Sequence, residues 1–339
     1  MAKAHSSSRH LPDTFKRVLL FLALLATSWS GAEAQKRIAL SFDDVPRGRG
    51  AFFTPDQRTI RLIAGLHKAG VKQAAFFVGP SQIGHDDGTG GEERIAAYVA
   101  GGHVIANHSF THPHLNESTA ADYLSNVDKA EAWLKGREGR RPWFRYPFLD
   151  EGGDDKAKVG QVRAALRARG ISNGYATVDG SDWNVESRAA NAVKAGKTID
   201  MTALRDLYVE TMVGAANFAD DLSRKTWGRQ PAQIIVLHET DVAALFVADL
   251  VAGLRRDGWS IITADEAYAD PIAKLAPVVP SANGTLVELA AWEKGLPQPR
   301  WYECNNIDLA NRLFDDACFT RQWRPSSHRT PETRTAAGR

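Results

Sequence analysis

Two histidines lie four residues apart at His108 and His112, and a pair of adjacent acids, Asp43-Asp44, precedes them by about sixty residues. Zinc in proteins takes imidazole nitrogens and carboxylate oxygens, and a catalytic ion typically has three protein ligands and one open position. Two imidazoles and one carboxylate of this set therefore predict an open-sided metal site. The second carboxylate, Asp43, would stand beside the water in the open position as a candidate base.

Short apolar runs alternate with amphipathic helical patterns from residue 37 onward. This alternation is typical of a parallel sheet, open or closed into a barrel, with helices on its faces. The predicted strands are residues 37–42, 73–78, 103–106, 143–145, 175–178, 234–237 and 260–262. The predicted helices are residues 55–69, 92–100, 118–135, 157–169, 201–224 and 242–256. About seven strands favour a barrel.

Reactive side chains follow the predicted strands at their carboxyl ends. Asp43-Asp44 follow the first strand, His108 follows the third, and Arg145 ends the fourth. Asp182 comes after the strand that ends at residue 178, and His238 ends the sixth strand. Because the carboxyl ends of barrel strands form the catalytic face, we expect these side chains to lie together.

Five short motifs occur in order along this region. They are SFDD at residues 41–44, HSFTHP at 108–113, RYPF at 145–148, DGSDW at 179–183 and VLH at 236–238. Together they resemble the five motifs of the NodB-homology polysaccharide deacetylases, carbohydrate esterase family four, over about residues 36–270. The resemblance implies a distorted (β/α) barrel and metal-dependent removal of acetyl groups from N- or O-acetylated glycans.

The resemblance also implies a role for each reactive group. Asp44, His108 and His112 look like the ligands of Zn²⁺, with Co²⁺ or Ni²⁺ as possible replacements. Asp43 resembles the general base, and Arg145 resembles the arginine that pairs with that base and keeps it ionised. A second metal ligand or a structural acid is the alternative interpretation of Asp43.

Further residues resemble the family's acid and its substrate pocket. His238 looks like the general acid, and Asp182 like the carboxylate that bonds to it and raises its pKa. The backbone N–H of Phe148 is expected to help stabilise an oxyanion. Trp183 and Leu237 would form the walls of the acetyl pocket, although a plain core position also fits Trp183. Residues 84–91 and 184–198 are expected to be loops that extend the substrate groove.

The first 34 residues contain the parts of a secretory signal peptide. Basic residues precede a short apolar run at residues 18–26, and Ala32-Glu33-Ala34 follows as an A-x-A cleavage site. The run is too short to span a membrane, which requires about 20 apolar residues. We therefore predict export to the periplasm or the cell exterior, with no membrane span after removal of the signal. An uncleaved anchor or a disordered tail is the alternative.

Composition limits the classes of partner. The 339 residues are 43% hydrophobic and 24% charged, which is typical of a soluble protein of one large or two medium domains. The whole chain carries a formal charge of +2, and residues 1–34 account for that excess, so the rest is formally neutral. A neutral chain argues against nucleic acid or an anionic membrane as a partner.

The predicted domain order is a signal peptide at 1–34, the deacetylase-like barrel at 35–272 and a small C-terminal appendage at 273–339. Cys304 and Cys318 are the only cysteines, and in an exported protein they are expected to form a disulfide. The arginine-rich end, with prolines, serines and threonines, is typical of a disordered tail.

Two other functions remain open. The chain could be a metal-dependent hydrolase of a different C–N amide bond, or a catalytically silent glycan-binding module on the same barrel. Asp43, Arg145 and His238 argue against the module, because binding alone does not require a base, its partner and an acid.

Overall fold

A computed structural model describes residues 35–281 and 283–320 of the chain. The predicted signal peptide and the arginine-rich tail lie outside these residues, so both stay predictions. From Lys36 onward the described chain forms a single folded unit. Among the described helices, none combines the length and the apolar character that crossing a membrane requires.

One parallel sheet forms the centre of the fold. Its strands are β1 Arg37–Val45, β2 Ala75–Val78, β3 Val104–Asn107, β4 Arg140–Phe144, β5 Ser172–Asn173, β6 Val178–Asp179, β7 Gln233–His238 and β8 Ser260–Ile261. They pair in the order β5-β4-β3-β2-β1-β7-β6, and β8 pairs with the start of β1. The sheet curls into a half-barrel whose short strands β5 and β6 end the hydrogen-bonded path. The predicted distorted (β/α) barrel is confirmed.

Helices pack around this sheet. They are α1 Pro55–Lys68, α2 Gly91–Ala100, α3 Ala120–Leu134, α4 Lys156–Ala168, α5 Asp182–Lys194, α6 Met201–Trp227, α7 Asp241–Arg256, α8 Ala264–Tyr268, α9 Leu286–Glu293 and α10 Ile307–Asp315. Side chains cap several of the helix starts. Thr54 forms a capping box at α1, and Thr240 accepts a hydrogen bond from Ala243 at α7.

Helix α5 corrects one prediction. Residues 184–198 were expected to form a groove loop, yet most of them lie in this helix. Val185, Ala189 and Ala192 are buried on one helical face, at the spacing that an amphipathic helix requires. The buried polar residues Asn184 and Glu186 and the small size of the alanines make this period inconspicuous in the sequence.

Successive side chains of β1 lie in two different environments, one on each face of the sheet. Leu40 and Phe42 belong to the large core between the sheet and helices such as α1, α6 and α7. Ala39 belongs to a smaller core on the inner face. Ser41 and Asp43 are two and four residues further along the strand, so they lie on the same face as Ala39. Because successive side chains of a strand point to opposite faces, Asp43 faces the interior of the half-barrel.

The predicted disulfide is absent, since Cys304 and Cys318 are both free and buried in the structure. The Cys304 thiol makes hydrogen bonds with the side chains of Tyr302 and Thr211, beside the middle of α6. Cys318 lies at the beginning of α6, where its carbonyl accepts the backbone N–H of Asp200 at 3.3 Å. The two thiols thus lie against different parts of one long helix. The domain boundary at residue 272 stays a prediction.

Candidate metal and catalytic site

Asp44, His108 and His112 come together at the carboxyl ends of β1 and β3. The Asp44 Oδ1 lies 3.1 Å from Nε2 of His112 and 3.5 Å from Nε2 of His108. One ligand atom from each residue lies within 4.8 Å of the others. Asp44 and His112 have φ of 64° and 59°, a left-handed conformation that turns their side chains out of the regular elements.

Hydrogen bonds orient the two imidazoles. His108 Nδ1 is 2.9 Å from the carbonyl oxygen of Arg145, which can only accept, so Nδ1 carries the proton and Nε2 keeps its lone pair. The backbone N–H of His112 donates to Ser109 Oγ at 3.0 Å, and Ser109 N–H donates to Asn107 Oδ1 at 2.7 Å. The donor set and its orientation fit a three-ligand site for a zinc-type ion.

Asp44 is poised to bind a cation. Burial acts to raise the pKa of its carboxyl, but the contacts with the His108 and His112 imidazoles hold that pKa well below its usual value. The carboxylate is therefore ionised at neutral pH, as a ligand must be.

Asp43 lies beside this group but pairs with an arginine. Its two oxygens accept hydrogen bonds from Nη1 of the buried Arg145 at 3.2 and 3.1 Å. Its Oδ2 is 3.8 Å from Nε2 of His108, which places it next to the ligand cluster. Burial acts to lower the pKa of Arg145, but the Asp43 charge raises it more. The arginine is thus a permanent cation paired with the Asp43 carboxyl group.

Other groups fix Arg145 itself. Its Nη2 donates to Ser41 Oγ at 3.1 Å, to the Tyr175 carbonyl at 3.3 Å and to the Tyr268 hydroxyl at 3.2 Å. Its Nε donates to the Gly174 carbonyl. Burial raises the pKa of Tyr268 to about 12, so its hydroxyl is neutral. Tyr268 comes from α8, thirty residues after the last motif, and carries no signal in the sequence.

His238 and Asp182 form the second half of the site. His238 Nδ1 is 2.7 Å from Asp182 Oδ1, and the backbone N–H of His238 donates to Asp182 Oδ2 at 2.8 Å. Burial acts to lower the pKa of His238, but the charge and the hydrogen bond of Asp182 raise it to about 9. His238 also pairs in register with Asp43 on the neighbouring strand. A protonated imidazole therefore lies on the strand next to the one that carries Asp43.

Phe148 is an exposed ring next to His112, one of the candidate metal ligands. Its centroid is 4.4 Å from that of His112 in an edge contact, and 3.6 Å from that of His114 in a parallel stack. The ring is 47% exposed, and the residue has φ of 58°. Its carbonyl accepts a hydrogen bond from Asn283 at 3.1 Å, so the C-terminal segment holds this turn.

The two predicted pocket walls have different positions. Trp183 is 44% exposed and follows Asp182 on α5, at the same end of the sheet as His238. Leu237 is fully buried in the core cluster behind the sheet. It lies on the opposite face of β7 from His238, because side chains alternate along a strand, so its position does not support a role as a pocket wall. Val236, two residues before His238, lies on the same face of β7 as His238.

A cavity of about 350 Å³ is lined in part by the three candidate ligand residues Asp44, His108 and His112. Arg47 lies at this cavity, and its Nη1 donates to Asp44 Oδ2 at 2.7 Å. In the sequence Arg47 is only an arginine in a glycine-rich loop, and no spacing identifies it. The other lining residues are Pro46, Gly48, Gly79, Ser81, Gln82, Phe110 and Thr111.

Sequence comparison links this region to a known family. Residues 30–167 match the family model described as polysaccharide deacetylase. A chitin deacetylase of Colletotrichum lindemuthianum is 27% identical over 113 residues, which is 33% of this chain and 42% of that protein. A peptidoglycan-N-acetylglucosamine deacetylase of Bacillus cereus is 30% identical over 127 residues, 37% of this chain and 41% of that protein. The match spans less than half the length of these curated relatives.

Solved structures resemble the fold at low sequence identity. The chitin deacetylase from Colletotrichum lindemuthianum matches with a TM-score of 0.48 and 20% identity, over 70% of this chain and 89% of that chain. A family 4 carbohydrate esterase from Streptomyces lividans in complex with acetate matches with a TM-score of 0.42 and 22% identity, over 70% and 97%.

Proposed function

We propose that this chain, whose residues 30–167 match the polysaccharide deacetylase model, is a metal-dependent hydrolase of that family that removes acetyl groups from a glycan. The observation that carries the proposal is the meeting of three ligand-type side chains, an acid paired with a buried arginine, and a histidine paired with an acid at one end of the sheet. Hydrolysis of an acetamide or an acetate ester requires an activated water, a base and an acid.

Asp44, His108 and His112 are proposed to hold Zn²⁺, with Co²⁺ or Ni²⁺ as workable replacements. One ligand-type atom of each residue lies within 4.8 Å of the others, and His108 Nδ1 is already hydrogen-bonded, so Nε2 would be the ring nitrogen that binds an ion. Zinc bound there would lower the pKa of water to about 7 and polarise the acetyl carbonyl.

Asp43 is proposed as the base that takes the proton from the attacking water. Its carboxyl group is paired with Arg145 and lies 3.8 Å from His108 Nε2, next to the side chains that would hold the ion. Arg145 does not react in this scheme. It orients Asp43, and five hydrogen-bonding groups hold the arginine in place.

His238 is proposed as the acid that protonates the leaving amine or alcohol. Its pKa of about 9 keeps the imidazole charged at neutral pH, so it holds the proton that the leaving group needs. Asp182 is its positioning partner. The Phe148 backbone N–H is proposed to stabilise the oxyanion, and Trp183 to contact the acetyl methyl group.

We propose an N-acetylglucosamine-containing polysaccharide as the preferred substrate class. The curated relatives are named as a chitin deacetylase and a peptidoglycan-N-acetylglucosamine deacetylase, which supports the N-acetyl form over an O-acetyl ester. Glycans of this kind lie outside the cytoplasm, which agrees with the export predicted from residues 1–34.

The test is an acetate-release assay on chitin oligomers, peptidoglycan and acetylxylan. We expect zinc-loaded protein to release acetate, a chelator to stop the release, and added zinc to restore it. Release of a different acyl group or amine would favour another amide hydrolase. Glycan binding without any acetate release would favour the silent binding module.

Replacement of the base provides the second test. Asp43→Asn should lower kcat by more than about a thousandfold while zinc affinity stays near that of the wild type, because Asp43 is outside the ligand cluster. Asp44→Asn is the matched comparison, since it changes the neighbouring acid and should lower both kcat and zinc affinity. Turnover retained by Asp43→Asn would refute the assignment of the base.

A further inference from the structure

We propose that Arg47 is a positioning residue that holds Asp44 as a one-oxygen metal ligand. This inference rests on the metal site of the proposed function. Arg47 Nη1 donates to Oδ2 of Asp44 at 2.7 Å. The other oxygen, Oδ1, faces Nε2 of His112 at 3.1 Å and Nε2 of His108 at 3.5 Å. The two carboxylate oxygens are therefore divided between the arginine and the histidines.

The backbone of Arg47 is fixed on both sides by buried charged groups. Its N–H donates to Glu239 Oε2 at 2.6 Å, and its carbonyl accepts from Arg58 Nη1 at 3.2 Å. Arg58 Nη2 donates to the next carbonyl, that of Gly48, at 2.7 Å. Arg58 and Glu239 have almost no exposed surface, so this anchor is part of the protein interior.

The same groups tie the loop to the strand that carries His238. Glu239 follows His238 directly, and its Oε1 accepts from the Tyr98 hydroxyl at 2.7 Å. Arg58 Nε donates to Asp241 Oδ1 at 2.8 Å, and Asp241 Oδ2 accepts the N–H groups of Phe52 and Phe53 at 2.7 and 3.0 Å. The loop at 46–53 thus has little freedom, and the Arg47 side chain starts from a defined point.

An ordinary surface ion pair is the alternative explanation of this contact. The Arg47 and Asp44 side chains are 36% and 27% exposed, and pairs of that kind usually add little to stability. The inference therefore concerns geometry and not folding energy. A carboxylate can bind a metal through one oxygen or through both. With Oδ2 held by Arg47, only Oδ1 is available, and the position that Oδ2 would occupy stays open for reactants.

Arg47→Met separates this role from a structural one. The hydrogen bonds that fix the loop use the backbone of Arg47, so the variant keeps them. Without the guanidinium, Asp44 can turn and bind through both oxygens. We expect zinc affinity equal to the wild type or higher, because a cation near the metal has been removed. We expect kcat to fall by about tenfold or more, as for other groups that orient metal ligands.

Arg49→Ala is the matched control. Arg49 lies two residues further along the same loop, is 60% exposed, and its nearest acid is Asp87 at 3.9 Å. Arg47→Lys keeps the charge and one donor, so it should recover one-oxygen binding in part. Crystal structures of the zinc-loaded proteins would measure both Zn–O distances of Asp44, and the visible spectrum of the cobalt-loaded proteins would report coordination number in solution.

In the zinc-loaded wild type and Arg49→Ala we expect one Asp44 oxygen within about 2.0–2.2 Å of zinc, and in Arg47→Met both oxygens near the ion. The cobalt spectrum should change only in Arg47→Met. One-oxygen binding and an unchanged spectrum in Arg47→Met would overturn the inference, whatever its kcat. Wild-type protein that binds zinc elsewhere or not at all would overturn the proposed function as well.

Discussion

Asp182→Asn should move the alkaline limit of activity to lower pH. In the structure Asp182 accepts two hydrogen bonds from His238, one from Nδ1 at 2.7 Å and one from the backbone N–H at 2.8 Å. The Asp182 charge outweighs burial and raises the pKa of His238 to about 9. Asparagine is nearly the same size and can keep the backbone hydrogen bond, but it removes the charge that holds the proton on the ring.

The expected loss depends strongly on pH. If the pKa of His238 returns from about 9 to its ordinary value of about 6.5, the protonated fraction at pH 8 falls from ~90% to ~3%. This change predicts a roughly 30-fold loss of kcat at pH 8 and less than a twofold loss at pH 6. The Asp44 charge also raises the pKa of His238. A bound cation would offset part of that contribution, so the alkaline limits of the wild type and of Asp182→Asn would both lie at slightly lower pH.

Folding stability should follow the same titration. Since the folded pKa is above the unfolded one, the contribution of His238 is fully present below about pH 6.5 and is lost as pH rises through about 9. The shift corresponds to about 3 kcal/mol at most. Asp182→Asn should therefore lower the free energy of unfolding at pH 7 by more than it does at pH 10.

The assay is kcat of zinc-loaded protein measured from about pH 5 to about pH 10. Asp179→Asn is the control, because Asp179 is a nearby acid that accepts from the Ser181 N–H and makes no hydrogen bond to His238. Its alkaline limit should shift less than that of Asp182→Asn. If Asp182→Asn lowers kcat by the same factor at pH 6 and pH 8, the charge-based argument for the proton on His238 is refuted.

Three further outcomes are expected. Tyr268→Phe removes the hydroxyl that contacts Arg145 and the Tyr175 carbonyl. The free energy of unfolding in urea should therefore fall by about 1–2 kcal/mol, and kcat should fall severalfold. Unchanged values would contradict the role of Tyr268. Gly50→Ala would place a Cβ 2.1 Å from the Asp241 carboxylate, so its unfolding free energy should fall by about 1–3 kcal/mol, whereas alanine at the open position of Gly160 should not destabilise the fold. Zinc at about 100 times its Kd should add about 2.7 kcal/mol to the unfolding free energy of the wild type, and His112→Ala should abolish that gain. Equal stabilisation of the wild type and His112→Ala would show that zinc binds at another site.

The sequence predicts the reacting groups better than their supports. Asp43-Asp44, His108, Arg145 and His238 follow buried strands, and the parallel order of a barrel brings such positions to one end of the sheet. Arg47 and Tyr268 depend on tertiary contacts that no spacing records, since each reaches the site from a loop or a helix outside the motifs.

The predictions that the structure corrects rest on sequence patterns that do not specify where a side chain points. Leu237 is adjacent to His238 in the chain, but the pleat of β7 turns it into the core behind the sheet. Helix α5 has a weak sequence signal, because its buried face includes the polar residues Asn184 and Glu186 and its apolar repeat is therefore incomplete. The pairing of Cys304 with Cys318 relied on number and compartment, and both thiols are free where they pack on α6. Short chain separation does not establish spatial contact.

The different environments of the two adjacent acids have a local cause in β1. Asp43 keeps the strand conformation and pairs in register with His238, so it faces the interior and meets Arg145. An extended Asp44 would point to the opposite face, into the apolar core that contains Phe42, where an ionised carboxylate has no partner and a large desolvation cost. Instead Asp44 has φ of 64°, and the register with β2 shifts between Phe42 and Val45. A bulge of this kind re-aims a side chain, and here it turns the second acid toward the histidines. The irregularity of one strand therefore converts two neighbouring carboxylates into a candidate base and a candidate ligand.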